Sequence, residues 1–166
     1  LTSGTVTFNN LTLSPTITAA RTYTFGAGAL TIDGDFNINP TASSALALTV
    51  NMGAAITVGA TKTTTIQRTT SATSTLDTTG TNYALSTGKL DIATGGTLTA
   101  NGSTVTLTGT TSTLFTRVGT FTAGTSTVVM NPDAAVTLTS GTVTFNNLTL
   151  SPTITVARTY TFGSGA

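Results

Sequence analysis

The chain has no cysteine, no histidine and no tryptophan, and all five of its acidic residues are aspartate. Without cysteine there is no disulfide framework, and residue usage says nothing about redox compartment. Without histidine, glutamate or convergent acid groups, general acid–base catalysis lacks the side chains that usually perform it. The sequence therefore predicts no enzyme activity and no cofactor.

Charge is also scarce. Only 7% of the residues are charged, against about 25% in average soluble domains. The net charge is +1, and the basic residues are isolated from one another, so no basic stripe could neutralise phosphates or hold a membrane surface. No apolar run approaches the length of a membrane span. The expectation is that this segment neither binds nucleic acid nor inserts into a membrane.

What the chain does have is threonine, at 47 of 166 positions, together with 17 glycines. Threonine is β-branched and favours a pleated, half-exposed surface, so the composition predicts an all-β protein. Apolar residues at every second position support this, because two residues is the side-chain period of a strand. The stretches are Val6-x-Phe8, Leu11-x-Leu13, Tyr23-x-Phe25, Leu30-x-Ile32, Phe36-x-Ile38, Leu46-x-Leu48-x-Val50, Ile56-x-Val58, Leu90-x-Ile92, Val105-x-Leu107, Val128-x-Met130 and Val136-x-Leu138.

Two architectures accommodate such a series of short strands. Tandem antiparallel β-sandwich domains would use hairpin turns, for which Asn101-Gly102 and Asp33-Gly34 are suitable. A parallel β-solenoid, or β-helix, would wind the chain into coils of about 20 residues with a continuous core. We favour the solenoid because related phrases recur along the chain and because almost no charge protects the sheet edges that an isolated sandwich would expose.

A long duplication defines the organisation. Residues 138–166 copy residues 1–29 with two differences, Ala19 against Val156 and Ala27 against Ser164. Residues 1–137 are therefore interpreted as one full solenoid repeat, and residues 138–166 as the start of the next. Because a solenoid turn cannot bury its own two faces, this pattern indicates a window from a longer tandem array.

Three phrases carry a family resemblance. They are FNNLTL (Phe8–Leu13 and Phe145–Leu150), GTLTANGSTVTLTG and GTFTAGTSTVVMN. They resemble the tandem-repeat parallel β-helix regions of very large, Thr/Gly/Asn-rich bacterial cell-surface proteins, which are adhesin-like and form filaments. The resemblance implies an extracellular, fibrous protein at the cell surface.

The most concentrated polar site is Asp33-Gly-Asp35-Phe-Asn37-Ile-Asn39. Residues two apart on a strand share a face, so the four side chains of Asp33, Asp35, Asn37 and Asn39 are expected to point outward. Their oxygens could supply part of a Ca²⁺ shell. A solvated outer face near a turn is the preferred interpretation.

Paired threonines are the second candidate, because a Thr-x-Thr pair on a strand projects both hydroxyls outward. Stacked pairs resemble the Thr arrays of ice-binding solenoids, although irregular turns between the pairs argue against one flat array. The pairs are Thr5/Thr7, Thr16/Thr18, Thr22/Thr24, Thr97/Thr99, Thr104/Thr106 and Thr120/Thr122.

The leading hypothesis is a structural one, the shaft of an extracellular filament or surface stalk. Its partners would be further copies of the repeat, in the same chain or end to end, with lateral bundling between nearly uncharged rods. The alternative is an adhesin that binds glycans or solid surfaces, with ice as a less favoured target. Exchange of the duplicated segment between separate subunits is a further way of joining repeats.

Overall fold

A computed structural model describes residues 4–132, 134–138 and 142–162. These residues form 21 short strands and no helix. The strands of turns one to three are β1 (Val6–Phe8), β2 (Leu11–Leu13), β3 (Arg21–Thr24), β4 (Leu30–Ile32), β5 (Phe36–Ile38), β6 (Thr41–Ala42), β7 (Ala47–Asn51), β8 (Ile56–Val58), β9 (Thr63–Ile66), β10 (Thr69–Thr70) and β11 (Thr73–Asp77). The remaining strands are β12 (Leu85–Thr87), β13 (Lys89–Ile92), β14 (Gly96–Thr99), β15 (Thr104–Leu107), β16 (Phe115–Arg117), β17 (Thr120–Thr122), β18 (Thr127–Met130), β19 (Val136–Leu138), β20 (Asn147–Leu150) and β21 (Tyr160–Phe162).

Every strand pair is parallel, and the pairs build three long sheets. Sheet 1 has the order β1-β4-β8-β12-β15-β18-β20, sheet 2 the order β2-β5-β9-β13-β16, and sheet 3 the order β3-β7-β11-β14-β17. From β1 to β18 the chain visits the three sheets in rotation, so each circuit stacks on the one before it, whereas β19 and β21 pair with each other in a separate two-stranded sheet. The result is a parallel β-solenoid of about five turns, which confirms the predicted fold class.

Turn length varies along the axis, as the pairing within sheet 1 shows. The longest turn runs from Ile56 to its partner Leu85, and the two shortest run from Leu85 to Val105 and from Val128 to Leu148. Only these two turns have the length of about 20 residues that the sequence predicts. The first three turns are longer because they carry a fourth face, made by the β6–β10 pair and an isolated bridge from Thr16 to Thr41.

The core is the column of inward side chains enclosed by the three sheets. Alternate residues of each strand point into it, as in β4, where Leu30 and Ile32 are buried and Thr31 is half-buried. Phe36 and Phe115 are among its largest fully buried side chains. Because each turn contributes its own layer, the apolar core continues from turn to turn without closing.

Candidate functional site

The predicted polar cluster lies on the outside of the second turn. Asp33 and Asp35 are exposed and Asn37 and Asn39 are half-buried, while Ile32, Phe36 and Ile38 between them are buried. Alternation along β5 produces this separation, as the sequence predicts.

Hydrogen bonds occupy part of the cluster. Asp35 Oδ1 accepts a hydrogen bond from the backbone N–H of Thr63 at 2.9 Å, and Asn39 Oδ1 accepts one from the Thr69 hydroxyl at 2.7 Å. Both donors belong to the third turn, so these side chains connect consecutive turns. Within the described residues no group of three or more acidic, histidine or cysteine side chains is placed to hold a metal. A calcium site at Asp33, Asp35, Asn37 and Asn39 stays a prediction.

A stacked corner connects sheet 3 to sheet 1. Asn82, Asn101 and Gly124 have φ values of +61°, +48° and +57°, and each lies a few residues before a strand of sheet 1. Asparagine and glycine tolerate this left-handed conformation better than other residues. The backbone N–H of Gly102 donates to Asn82 Oδ1 at 2.8 Å, which ties one corner to the next. Asn101-Gly102 is therefore a corner between two parallel sheets and not a hairpin turn.

The paired threonines of sheet 3 form an aligned outer surface. Thr22, Thr49, Thr75, Thr97 and Thr120 are successive Cα partners across all five strands. A second column beside it contains Thr24, Asn51, Asp77, Thr99 and Thr122. Uneven turn lengths do not scatter these pairs, because the extra residues are accommodated at the corners and not within the strands.

Sequence reasoning missed a set of buried hydroxyl groups. Thr64 and Thr87 are fully buried, and the Thr64 hydroxyl donates to Thr87 Oγ1 at 3.0 Å. Ser74 is also buried and donates to the carbonyl oxygen of Gln67 at 2.6 Å. These hydroxyls occupy inward strand positions, where the two-residue alternation predicts aliphatic residues. The sequence gives little sign of these buried hydroxyls, because a run such as Thr63-Thr64-Thr65 shows no difference in polarity between the two faces of the strand.

An apolar cavity opens at the first turn. It has a volume of about 190 Å³ and is lined by Phe8, Leu11, Leu13, Tyr23, Thr24 and Phe25. The apolar side chains among them are half-buried, apart from Tyr23, which is 39% exposed. In the next turn the corresponding layer, which includes Phe36 and Leu48, is fully buried. The cavity thus lies over an uncovered layer of the solenoid core.

The two copies of the repeated segment differ in environment. Ile17 is 4% exposed, whereas its equivalent Ile154 is 53% exposed. The second turn covers Ile17, whose backbone N–H donates to the carbonyl oxygen of Thr41 at 2.9 Å. Leu11 lies in sheet 2, but its equivalent Leu148 lies in sheet 1, where it pairs with Val128. Identical residues therefore occupy different sheets in the two copies.

Comparison with known proteins found no family model, no curated protein and no solved structure that matches the chain. Among the described residues no helix is long and apolar enough to cross a membrane.

Proposed function

We propose that the protein is the shaft of an extracellular filament or cell-surface stalk, built from tandem solenoid repeats and without catalytic activity. The observation that carries this proposal is the combination of a parallel solenoid, whose apolar core runs from turn to turn, with a sequence that restarts at Leu138. A solenoid turn needs a neighbour on each face, and a tandem repeat supplies one. Its partners are further copies of the repeat.

The dimensions suit a shaft. Six interstrand steps separate β1 from β20 in sheet 1, which corresponds to roughly 29 Å along the axis at about 4.8 Å per step. Each added repeat lengthens the rod without changing its cross-section. Stability then grows with repeat number, because every new turn buries the open face of the turn before it.

A chain of two units tests the shaft. It consists of residues 1–166 followed by a second copy of residues 30–137, which contains the five strands β4, β8, β12, β15 and β18 of sheet 1. We expect electron microscopy to show one continuous rod, longer than residues 1–166 by roughly 24 Å at about 4.8 Å per added strand. Thermal unfolding should occur at a higher temperature than in the single unit.

The matched control for this chain carries a rigid helical linker between the two units. The rigid linker holds the end of one unit away from the start of the next without changing their sequences, so it removes the stacking of one repeat on the next within the chain. Two separate beads in place of a rod, or identical melting of the continuous and the linked chains, would contradict the proposal.

The cellular location is a separate part of the proposal, supported by the resemblance of the repeat phrases to bacterial surface proteins. Surface labelling of intact cells that express the full gene tests it. We expect the repeat to be labelled without permeabilisation, and labelling only after permeabilisation would contradict this location.

A second candidate function, adhesion to glycans or solid surfaces including ice, is favoured by the threonine column of sheet 3. An aligned, uncharged row of hydroxyl and methyl groups presents a regular surface at about 4.8 Å spacing. Thr75→Lys with Thr97→Lys interrupts this row, whereas Thr65→Lys places a charge on sheet 2 as a control. If sheet 3 is adhesive, only the double variant loses glycan-array binding or inhibition of ice recrystallisation. No activity in the parent protein leaves the shaft as the function.

A further inference from the structure

Asn101 is followed by Gly102, and no other asparagine in the sequence precedes a glycine. This dipeptide is chemically labile, because the glycine nitrogen can attack the side-chain amide carbon of the asparagine and glycine has no Cβ to obstruct the approach. Asparagine is among the thermolabile residues for this reason. The pair lies at the corner between β14 and β15, where Asn101 is half-buried and Gly102 is exposed. The corner therefore presents a reactive peptide bond close to solvent.

Deamidation of Asn101 would proceed in two balanced steps. In the first step the Gly102 nitrogen bonds to Cγ of Asn101, the Cγ–Nδ2 bond breaks, and the side-chain nitrogen takes up the Gly102 proton and leaves as ammonia. Water then opens the resulting succinimide ring. Attack of water at Cγ gives aspartate with the normal backbone, whereas attack at the backbone carbonyl carbon gives isoaspartate, in which the chain runs through Cγ. Water is the co-reactant, and the net change is the replacement of the amide by a carboxylate.

Hydrogen bonds hold both reacting groups in the folded chain. The backbone N–H of Gly102 donates to Asn82 Oδ1 at 2.8 Å, so the nitrogen that would attack keeps its proton. Asn101 Nδ2 donates to Asp77 Oδ1 at 2.7 Å and to Thr78 Oγ1 at 3.2 Å, which fixes the amide against the turn below. Ring closure requires these bonds to break, and this needs a local opening of the corner.

We propose that Asn101 is a deamidation site that Asn82 and Asp77 keep unreactive in the folded solenoid. The reaction takes place when the fourth turn separates from the third. Because replacement of the amide is not reversed by refolding, the fraction of modified Asn101 records how often this corner has opened. The site is independent of the proposed function, since its geometry lies within two consecutive turns.

The products of deamidation do not fit the corner. A carboxylate at position 101 loses the two amide donors and lies against the carboxylate of Asp77, where like charges repel. Isoaspartate adds a carbon to the backbone, on which the next turn packs directly. The N–H of Thr125 donates to the carbonyl oxygen of Asn101 at 2.6 Å, and a Cβ added at Gly124 would overlap that oxygen. Modification therefore weakens the stacking of this turn on both of its neighbours.

Tryptic digestion isolates the reaction at one residue. Trypsin cleaves after Lys89 and Arg117, and residues 90–117 contain Asn101 as their only asparagine and contain no glutamine. Mass spectrometry of this peptide measures conversion of the amide, and chromatography separates aspartate from isoaspartate. The full chain is incubated before digestion, either folded or unfolded in guanidinium chloride, at one pH and temperature. We expect deamidation to be at least about tenfold slower in the folded chain, and equal rates would overturn the proposal.

Two substitutions test Asn82, whose backbone is left-handed with φ at +61°. Asn82→Gly fits this backbone but removes the acceptor of the Gly102 N–H, so deamidation of the folded chain should be faster by at least roughly threefold. Asn82→Asp retains an oxygen acceptor and also tolerates the left-handed region, so it should react at the rate of the parent. Equal rates in the two variants would overturn the role of Asn82.

Gly53→Ala is the matched control for loss of stability, because its added Cβ overlaps the Phe25 carbonyl at a different corner. Urea denaturation identifies the conditions under which each variant is folded, and there Gly53→Ala should deamidate at the rate of the parent. If it accelerates the reaction as much as Asn82→Gly does, general unfolding controls the rate and the proposal fails.

Amide hydrogen exchange of the parent protein needs no variant. The comparison is with Gly80, an exposed glycine whose N–H donates to no described residue. We expect the Gly102 N–H to exchange at least about tenfold more slowly than the Gly80 N–H. Exchange at the same rate would mean that Asn82 does not hold the proton, and would overturn the proposal.

Discussion

Asn101 Nδ2 donates a hydrogen bond to Asp77 Oδ1 at 2.7 Å, joining the fourth turn of the solenoid to the third. The same carboxylate oxygen accepts the backbone N–H of Thr79 at 2.7 Å, and Asn101 also donates to the Thr78 hydroxyl at 3.2 Å. One asparagine side chain therefore holds the corner of the turn below it. Its own backbone is left-handed, with φ at +48°.

This geometry predicts different outcomes for two substitutions of Asn101. Asn101→Ala removes the bond to the carboxylate and puts a Cβ-bearing residue without polar atoms in the left-handed region. We expect a loss of about 2–3 kcal/mol in the free energy of unfolding. Asn101→Gly removes the same bond but fits the backbone, so its loss should be smaller by about 1 kcal/mol. Urea denaturation measures both, and equal losses would show that the left-handed backbone does not contribute.

Some glycines lie where consecutive turns of the solenoid pack closely against each other, and others do not. A Cβ added at Gly53 would overlap the backbone carbonyl of Phe25 in the turn below, whereas one added at Gly80 meets no atom within 4 Å. We expect Gly53→Ala to cost about 1–3 kcal/mol of stability, because the backbone of a neighbouring turn must shift. Gly80→Ala should be neutral or stabilising by up to about 1 kcal/mol. Thermal unfolding of the pair is the measurement, and a tolerated Gly53→Ala would mean that these turns are not stacked as described.

Two buried serines are expected to respond in opposite directions to alanine. Ser74 donates its hydroxyl to the carbonyl oxygen of Gln67, whereas the buried hydroxyl of Ser126 has no hydrogen-bond partner among the described residues. Ser74→Ala should therefore lower the free energy of unfolding by about 1 kcal/mol, and Ser126→Ala should leave it unchanged or raise it. Chemical denaturation of the two variants measures both changes in the free energy of unfolding. A destabilised Ser126→Ala would indicate an ordered water at this hydroxyl.

Calcium dependence tests the outer polar cluster. Because Asp35 Oδ1 already accepts the Thr63 N–H, and Asn39 Oδ1 the Thr69 hydroxyl, we expect the melting temperature to be the same with millimolar calcium as with a chelator. Asp35→Asn retains an oxygen acceptor and should change stability by less than about 0.5 kcal/mol. Calcium that binds the folded state would raise the melting temperature. A rise that disappears in Asp35→Asn would establish the calcium site instead.

Strand alternation was enough to predict an all-β protein and much of the core, whereas the choice of a solenoid over β-sandwich domains needed the recurring phrases and the scarcity of charge. The inward positions of β4, β5 and β8 are Leu30, Ile32, Phe36, Ile38, Ile56 and Val58, and all of them are buried. The same alternation placed Asp33, Asp35, Asn37 and Asn39 on the outside. It failed for β9 and β11, where Thr64 and Ser74 occupy inward positions. A buried hydroxyl is stable there because it finds a carbonyl or another hydroxyl in the folded chain, and no local pattern reveals that partner.

Local sequence therefore determined the all-β class and which face of each strand is apolar, since both depend on the two-residue period of the extended backbone. It did not determine every strand, because Val6–Phe8 is a strand and the identical residues 143–145 are not. Only the tertiary structure decided which strands stack and which sheet each strand enters. The phrase Leu-Thr-Leu makes this clear, because it lies in sheet 2 at Leu11–Leu13 and in sheet 1 as part of Asn147–Leu150. A short strand is stable only through the neighbours that hydrogen-bond to its two edges and cover its apolar face, so identical residues take different places when those neighbours differ.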